Sequence, residues 1–281
     1  MQIDLHCHST ISDGLFSPRD LVAHAAAQGV DVLALTDHDG TGGLAEARIA
    51  ADELGVAFID GTEISVSWRG RTIHIVGLCI DPHHPELVAG LQAVRGSRLQ
   101  RAAAIAQSLA KAGVKNALEG AQRHAHNPEM IGRTHFARFL VEAGYAPDVK
   151  RVFKRYLVNG KPGYVAHEWA RLSEAVGWIT ASGGVAVLAH PGRYDLGKDL
   201  MHSLIQEFKQ AGGRAIEVVT GSHTPQQYAI FAAYAQQYDL LASCGSDYHG
   251  PQESYLDMGR LAPLPEGCTP VWADWPVAAA A

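Results

Sequence analysis

The sequence predicts an α/β fold, a barrel of about seven strands with an inserted, mainly helical cap domain. Apolar, strand-like runs alternate with helical patterns at both ends of the chain, as in parallel α/β proteins. Most of these runs end in or carry Asp, Glu or His, and barrels of this kind place their chemistry at the carboxyl ends of the strands. Between the two halves, residues 95–161 show helical patterns without a strand between them.

The composition indicates a globular protein with a large buried core. Hydrophobic residues make up 47% of the 281 residues and charged residues 19%. The net charge of −6 argues against a general nucleic-acid coat protein. Four scattered cysteines without a C-x-x-C pair predict reduced thiols in a cytoplasmic protein. We find neither a secretory signal nor an apolar run of about 18 residues, and therefore expect a soluble protein.

The first half of the chain begins with a short strand that ends in two histidines. Ile3 and Leu5 alternate with polar residues, and His6 and His8 follow. Residues two apart in an extended chain point to the same side, so both imidazoles can reach one metal ion, although an isolated pair is more often structural. Ser17 is expected to cap a helix. The further elements predicted here are strands at residues 30–36, 56–59 and 72–79 and a helix at residues 41–54.

The same order of elements returns after residue 161. Strands are predicted at residues 184–189, 215–219 and 240–244, and helices at residues 200–210 and 224–237. Thr224 and Pro225 are expected to open the second of these helices. His190 follows the first strand, and Asp247 and His249 follow the last. The strand ends of this half therefore also supply candidate metal ligands.

The segment between the halves, called here the basic insertion (residues 95–161), has its own charge. It contains thirteen Lys and Arg but four Asp and Glu, a net +9 that leaves −15 for the rest of the chain. Helices are predicted at residues 99–112, 134–143 and 148–157. About half of these charges are expected on a solvated face. The asymmetry nevertheless suggests a cap over the barrel mouth that holds a polyanion.

Nine imidazoles and carboxylates gather at the predicted strand ends. They are His6, His8, Asp13, His38, Glu63, His74, His190, Asp247 and His249. Burying so many such groups together is costly without bound cations. A His, Asp and Glu set without cysteine suits Mn, Fe, Zn or Co. The number of ligands predicts two or three metal ions about 3.5–4 Å apart, as in phosphatase and nuclease centres.

In order and spacing these motifs resemble the PHP (polymerase and histidinol phosphatase) family. The motifs are His6-x-His8, Asp13, Thr36-Asp37-His38, Gly61-x-Glu63, His74, Ala189-His190-Pro191 and Asp247-x-His249. The resemblance implies a distorted (β/α)7 barrel with a trinuclear site of Mn, Zn or Fe. It also implies one metal on His6, His8, Glu63 and Asp247, a second on Glu63, His74 and His190, and a third on Asp13, His38 and His249.

Substrate contacts are expected in the basic insertion, where Gly132-Arg133-Thr134-His135 opens a helix. Backbone amides at a helix N-terminus and an arginine fork hold phosphate well, although the same residues can be an ordinary helix cap. The stretch resembles the PHP branch that removes the 3′-phosphate of nucleoside 3′,5′-bisphosphates. That resemblance makes Arg133, Thr134 and His135 substrate contacts, with Arg98 as a further candidate.

Two residues outside the insertion are candidates for catalytic roles. Arg193, beside His190, is positioned in the sequence to neutralise the transferring phosphoryl oxygens, and His223 to protonate the leaving hydroxyl. Either can instead belong to ordinary loop structure. Without a Ser or Cys in a hydrolase elbow, we expect direct attack by a metal-bridging hydroxide rather than a covalent intermediate.

The expected function is a metal-dependent phosphatase that converts a nucleoside 3′,5′-bisphosphate to the 5′-monophosphate and phosphate. Two or three divalent ions are expected, with Mn first and Zn or Fe as alternatives. The first alternative is a 5′-3′ exonuclease on short 5′-phosphorylated oligoribonucleotides. The second is a histidinol-phosphate phosphatase, although a +9 cap is too basic for a cationic substrate. The third is a non-catalytic PHP scaffold. A small nucleotide or short RNA is the expected partner, without a stable nucleic-acid complex, a membrane or an obligate protein partner.

Overall fold

The structure, a computed structural model that describes residues 1–275, confirms the α/β class. The strands are β1 (Ile3–Asp4), β2 (Val32–Leu35), β3 (Ala57–Trp68), β4 (Arg71–Leu78), β5 (Ala170–Arg171), β6 (Val185–Leu188), β7 (Ala215–Thr220) and β8 (Leu241–Gly245). The helices are α1 (Pro18–Ala27), α2 (Leu44–Leu54), α3 (Pro85–Lys111), α4 (Ala117–Arg123), α5 (Arg133–Glu142), α6 (Val149–Val152), α7 (Leu172–Ala181), α8 (Lys198–Gln210) and α9 (Pro225–Gln237).

The strands form a distorted and nearly closed barrel. Seven of them lie side by side in the order β1-β2-β3-β4-β6-β7-β8, and β5 pairs with β3. All pairs are parallel except those of β4, which runs antiparallel to both β3 and β6. The first and last strands meet where the Leu5 amide donates to the Cys244 carbonyl (3.1 Å) and the His8 amide donates to the Tyr248 carbonyl (2.9 Å). The predicted barrel of about seven strands is therefore confirmed.

The barrel core is apolar because its strands are buried on both faces. Every residue of β2 and β7 is buried, and α1, α2, α7, α8 and α9 cover the outside. Helix α7 lies directly on β4, where a Cβ atom at Gly77 would meet Ile179 at 2.9 Å. Both predicted caps are present, since the Ser17 hydroxyl accepts from the Asp20 amide (3.1 Å) and the Thr224 hydroxyl from the Gln227 amide (3.3 Å).

The basic insertion has a hydrophobic cluster of its own. Ile105 and Leu109 of α3 pack there with Phe136 and Leu140 of α5. The same helix α3 begins in the barrel core, to which Leu87 belongs. The predicted domain boundary at residue 95 falls inside this continuous helix and stays a prediction, as does the boundary at residue 161. The sequence assigns residues 1–94 and 162–281 to the barrel, and of these, residues 276–281 lie outside the described residues.

Several predicted elements have different bounds in the structure. Helix α3 begins at Pro85 rather than residue 99, because Leu87, Leu91 and Val94 extend its buried stripe at helical spacing. Helix α2 begins at Leu44 rather than residue 41, after a Gly-Gly pair that disfavours helix. Strand β3 runs far beyond residue 59, and α4 and α7 were not predicted. Among residues 1–275, no helix is both long and apolar enough to span a membrane.

Candidate metal centre

The structure brings the nine predicted ligand side chains together at one end of the barrel. Most of them follow the carboxyl end of a strand, whereas Glu63 and His74 lie within β3 and β4. Their ligand atoms fall into four groups, with all atoms of a group within 4.8 Å of one another. The groups are His8, Asp13, His38 and His249; His6, Glu63 and His190; His6, His8 and Asp247; and His38, Glu63 and His74.

Glu63 lies at the centre of these groups. Its Oε1 atom is 2.9 Å from His74 Nδ1 and 2.9 Å from His190 Nε2. Its Oε2 atom is 2.8 Å from His38 Nδ1 and 3.5 Å from His8 Nε2. Because its two oxygens face different histidines, the carboxylate has the position of a bridging ligand between neighbouring cations.

Two further carboxylates complete the cluster on either side of Glu63. Asp247 Oδ1 is 3.3 Å from His8 Nε2 and 3.6 Å from His6 Nε2. Asp13 Oδ1 is 3.3 Å from His249 Nε2 and 3.7 Å from His38 Nε2. The backbone of Asp247 has a φ of +57°, in the left-handed region, and this conformation turns its side chain into the cluster.

The donor atoms of the cluster fit a site for cations. Several are buried but form no hydrogen bond with any residue in the range 1–275, namely His6 Nε2, both ring nitrogens of His8, Asp13 Oδ1, His38 Nδ1 and Glu63 Oε2. His38 Nδ1 and Glu63 Oε2 lie 2.8 Å apart and still lack hydrogen-bond geometry. Unpaired buried polar atoms are costly. Divalent cations satisfy such nitrogen and oxygen donors together, so the residues present fit a multinuclear metal centre.

The protonation states of the cluster are set by burial and by neighbouring charge. Burial acts to raise the pKa of Glu63, but His74 and His38 outweigh it and hold the pKa well below its usual range. Burial lowers the pKa of His8 to about 3 and that of His74 to about 4. Burial opposes a charge on His249, yet Asp13 raises its pKa to about 9. Because metal ions bind ionised carboxylates and neutral imidazoles, binding at His249 would have to release its proton, whereas the low pKa values of His8 and His74 already leave those rings neutral.

Comparison with known proteins agrees with this geometry. A family model described as the PHP domain matches residues 4–221. The chain belongs to the PHP domain family. The motif resemblance seen in the sequence is therefore confirmed, and the nine clustered side chains form the candidate PHP metal centre.

Similar proteins cover almost the whole chain. The sequence is 52% identical to a 3′,5′-nucleoside bisphosphate phosphatase of Chromobacterium violaceum, over 97% of this chain and 95% of that protein. It is 45% identical to a 5′-3′ exoribonuclease of Haemophilus influenzae, over 96% and 97%. A crystal structure of an amidohydrolase from Chromobacterium violaceum, with bound sulfate and no metal, superposes with a TM-score of 0.95 at 51% identity, covering 99% and 96%.

A buried acid that the sequence analysis missed supports two members of the PHP centre. Glu217 in β7 is 1% exposed, and its Oε1 atom accepts from His6 Nδ1 at 2.7 Å. Its Oε2 atom accepts from the His190 amide at 2.5 Å. Glu217 is the single charged residue in the apolar run 215–219, and that pattern was the available signal for a functional acid.

Two further acids hold the loop that follows β2. Asp37 accepts hydrogen bonds from the Ser9 amide (2.8 Å) and from the hydroxyls of Ser9 and Ser12 (both 2.6 Å). Asp39 is fully buried and forms an ion pair with Arg98 of α3. These contacts hold His38 between two anchored neighbours, Asp37 and Asp39. The ion pair between Asp39 and Arg98 also connects the basic insertion to the barrel.

The basic insertion also touches the PHP centre directly. The Thr134 hydroxyl donates to Asp13 Oδ2 at 2.8 Å, and the Arg138 guanidinium donates to the Asp13 backbone carbonyl at 2.6 Å. Arg98, predicted as a substrate contact, is instead engaged with Asp39 and Ser65, although it lines the cavity over the centre. Thr134 at the first turn of α5 therefore lies beside a candidate metal ligand, and its predicted role as a substrate contact stays a prediction.

Two cavities adjoin at the centre. The first, called the metal cavity, has a volume of about 110 Å³ and is lined by six members of the cluster and by four arginines: Arg98, Arg101, Arg133 and Arg193. The second, called the arginine pocket, has a volume of about 250 Å³ and is lined by Ser67, Gly70, Thr72, Arg101, Arg133 and residues 164–168. Arg101 and Arg133 stand between the two cavities because they line both.

Two predicted histidines have other positions. His135 is 1% exposed, and its Nδ1 atom accepts from the Gly132 amide at 3.0 Å, so the ring caps α5 instead of lining either cavity. His223 Nδ1 donates to the Val218 carbonyl (3.0 Å) and Nε2 accepts from the Gly192 amide (2.9 Å). Both ring nitrogens of His223 therefore have backbone partners in this structure, and its expected role as a proton donor stays a prediction.

Proposed function

We propose that this PHP protein hydrolyses the 3′-phosphate ester of nucleoside 3′,5′-bisphosphates. The printed function of the Chromobacterium violaceum relative supports the reaction. The metal cavity with its four arginines supports a polyanionic substrate, because guanidinium groups bind phosphate through paired hydrogen bonds. The bound sulfate of the similar crystal structure is in keeping with an anion site in this fold.

The observation that carries the bisphosphate specificity is the pair of arginines between the cavities. Arg101 is 9% exposed, and its Nε atom is buried without a hydrogen-bond partner in the described part of the chain. Burial, together with the charges of Arg133 and Arg98, lowers the pKa of Arg101 to about 9. Neither Arg101 nor Arg133 forms a salt bridge within residues 1–275, whereas Arg98 pairs with Asp39. An anionic group of the ligand is therefore the partner that Arg101 and Arg133 lack.

The ligand group that pairs with Arg101 and Arg133 is distinct from the phosphate that would be hydrolysed at the metal centre. Arg101 and Arg133 line the arginine pocket as well as the metal cavity. A substrate with one phosphate at the cluster and a second between these arginines uses both cavities. A 3′,5′-bisphosphate meets that requirement, with its 3′-phosphate at the cluster and its 5′-phosphate between the two arginines.

We propose the nine clustered side chains as ligands of two or three divalent ions, with Mn²⁺ first. Glu63 would bridge, because its two oxygens face different histidines. When bound, divalent ions supply a hydroxide nucleophile at neutral pH and neutralise phosphate oxygens. In the overall reaction, water adds its hydroxyl to phosphorus, the P–O3′ bond breaks, and the remaining proton goes to O3′ of the released nucleoside 5′-phosphate.

The chain's own residues orient the phosphate in this scheme. Arg193 Nη1 donates to Asp247 Oδ2 at 2.5 Å, so its guanidinium is held at the edge of the cluster and faces the metal cavity. It would donate to a phosphoryl oxygen as charge builds there. Arg133 stands over the Phe153 ring, 5.7 Å from its centroid, and this packing limits the directions in which the guanidinium can point.

The same site supports a second function, removal of nucleotides from the 5′ end of short RNA. The Haemophilus influenzae relative is named as a 5′-3′ exoribonuclease, and the alignment with this chain covers nearly its whole length. The first nucleotide of a 5′-phosphorylated RNA carries the same two phosphates as a 3′,5′-bisphosphate. Amide hydrolysis, suggested by the name of the similar crystal structure, does not account for four arginines over the cluster. Four free cysteines support our proposal that the protein works in the cytoplasm.

The experiment compares phosphate release from adenosine 3′,5′-bisphosphate and from adenosine 3′-phosphate in the presence of Mn²⁺. Loss of the 5′-phosphate removes charge-assisted hydrogen bonds worth about 1.5–3 kcal/mol, or about 10- to 150-fold in kcat/KM. Arg101→Met should abolish this preference, whereas the exposed control Arg214→Met should keep it. Equal kcat/KM values for the two substrates with the wild-type enzyme would contradict the proposal.

A further inference from the structure

A large aromatic side chain is exposed in the loop that follows the last two members of the cluster. Tyr255 is 69% exposed, the highest value among the exposed large hydrophobic residues within residues 1–275. It lies six positions after His249, a member of the cluster, in the loop that follows β8. Tyr255 does not line the metal cavity or the arginine pocket.

The loop around Tyr255 is anchored to the centre itself. The Ser254 hydroxyl accepts from the His249 amide at 2.8 Å and from the Gly250 amide at 3.2 Å. Glu253 accepts from Arg138 through both carboxylate oxygens, at 2.8 and 2.7 Å, and the same arginine bonds the Asp13 carbonyl. The two residues before Tyr255 are therefore fixed while its ring faces solvent, so the ring is positioned without being packed.

One cation of the basic insertion lies near this ring, and further cations of the same segment line a groove. Lys150 of α6 is exposed, and its Nζ atom lies 5.9 Å from the centre of the Tyr255 ring. Four residues on, Lys154 lines an open groove of about 540 Å³ together with Arg155 and Lys161. The nearby acid Asp148 is paired with Arg151, so it does not neutralise this set.

An exposed aromatic ring followed by a row of cations is the arrangement that holds single-stranded nucleic acid. Bases stack on the ring and the phosphates follow the cations, without sequence preference. We propose that Tyr255 and Lys150, with the groove beyond them, bind the 3′ continuation of a short 5′-phosphorylated RNA whose first nucleotide occupies the metal cavity and the arginine pocket. This inference rests on the proposed function, because it takes the P–O3′ bond of that first nucleotide as the bond that breaks.

The same bond cleavage serves both substrates. In the bisphosphate, the phosphate at the cluster has no further substituent. In RNA, the same phosphorus also carries O5′ of the next nucleotide. Water adds its hydroxyl to phosphorus, the proton goes to O3′, and the shortened RNA keeps a 5′-phosphate. The rest of the strand begins at this phosphate, and it needs a surface that the bisphosphate does not use.

The test compares Tyr255→Ala, Tyr255→Phe and Lys150→Ala on two substrates, adenosine 3′,5′-bisphosphate and a 5′-phosphorylated tetraribonucleotide. Loss of one stacked base predicts a fall of about 5- to 150-fold in kcat/KM on RNA for Tyr255→Ala. Tyr255→Phe should retain RNA turnover because it keeps the ring. Lys150→Ala should lower RNA turnover most at low salt, and the exposed Lys198→Ala is the matched control.

Turnover of the bisphosphate should be the same in all four variants. If the wild-type enzyme hydrolyses the bisphosphate but Tyr255→Ala cleaves RNA at the wild-type rate, the RNA surface is refuted and the proposed function stands. The surface is also refuted if the wild-type enzyme does not cleave RNA, or if Tyr255→Ala lowers both activities equally. Failure to release phosphate from the bisphosphate with metal bound would instead refute the proposed function, and the inference with it.

Discussion

Glu217→Gln tests how the metal centre is held in shape. Glu217 accepts from the ring of His6 with one oxygen and from the backbone amide of His190 with the other, at 2.7 and 2.5 Å. Glutamine has nearly the same shape but one acceptor oxygen. Whichever donor faces the new NH₂ group loses its acceptor inside a site with almost no solvent exposure. The substitution therefore removes one charge-assisted hydrogen bond and the negative charge behind His6.

The expected result is a loss of metal affinity without a loss of fold. Removal of a hydrogen-bonding partner behind a metal-binding histidine weakens metal binding by about 10- to 100-fold. The loss of a charge-assisted hydrogen bond, about 1.5–3 kcal/mol, leads to a similar factor. The phosphatase activity should fall at limiting Mn²⁺ and recover in part at high Mn²⁺, because the ligand atoms themselves remain.

The measurement is a calorimetric titration of the metal-free protein with Mn²⁺, with metal content by mass spectrometry as a second readout. Glu266→Gln is the matched control, since Glu266 is exposed and, among the described residues, only its backbone carbonyl forms a hydrogen bond. Wild-type affinity and full loading in Glu217→Gln would show that Glu217 does not orient His6, and the argument from the two short hydrogen bonds would then be wrong.

Four further outcomes follow from the same contacts. His38→Ala should lower metal content and turnover together; retention of both would remove His38 from the metal site. Arg133→Ala should raise KM for the bisphosphate while metal content stays normal, and an unchanged KM would exclude it from substrate binding. Sulfate should raise the Tm of the wild-type protein and raise it less in Arg101→Met, as measured by calorimetry. Asp39→Ala should lower the free energy of unfolding by about 3–5 kcal/mol because it leaves Arg98 buried without its partner; a change below about 1 kcal/mol in denaturant titration would contradict this.

Much of the barrel and of the candidate centre could be predicted because both depend on short-range patterns. Strand β2 is an apolar run with polar residues directly after it, and parallel strands place such ends at one edge. His6 and His8 also follow a strand, and because they are two residues apart in an extended chain their side chains point to the same side. Predicting that these side chains cluster therefore requires only the order of the strands and no knowledge of how the core packs.

The remaining features depend on contacts that no local sequence pattern records. A lone histidine in a loop can bind metal, cap a helix or brace a turn, and only the folded chain distinguishes His135 and His223 from His190. The unpaired state of Arg101 depends on where every acid of the chain lies. Glu217 was detectable as a charge in an apolar strand, but its partners were not.

Helix α3 also affects how ligands reach the enzyme. Its 27 residues form one rod about 40 Å long, embedded at one end in the barrel core and at the other in the cluster of the basic insertion. A continuous helix anchored at both ends disfavours a hinge at the junction. We therefore expect ligands to exchange through gaps between side chains at the mouth, controlled by rotamer changes of the long arginines rather than by rigid-body opening of the basic insertion.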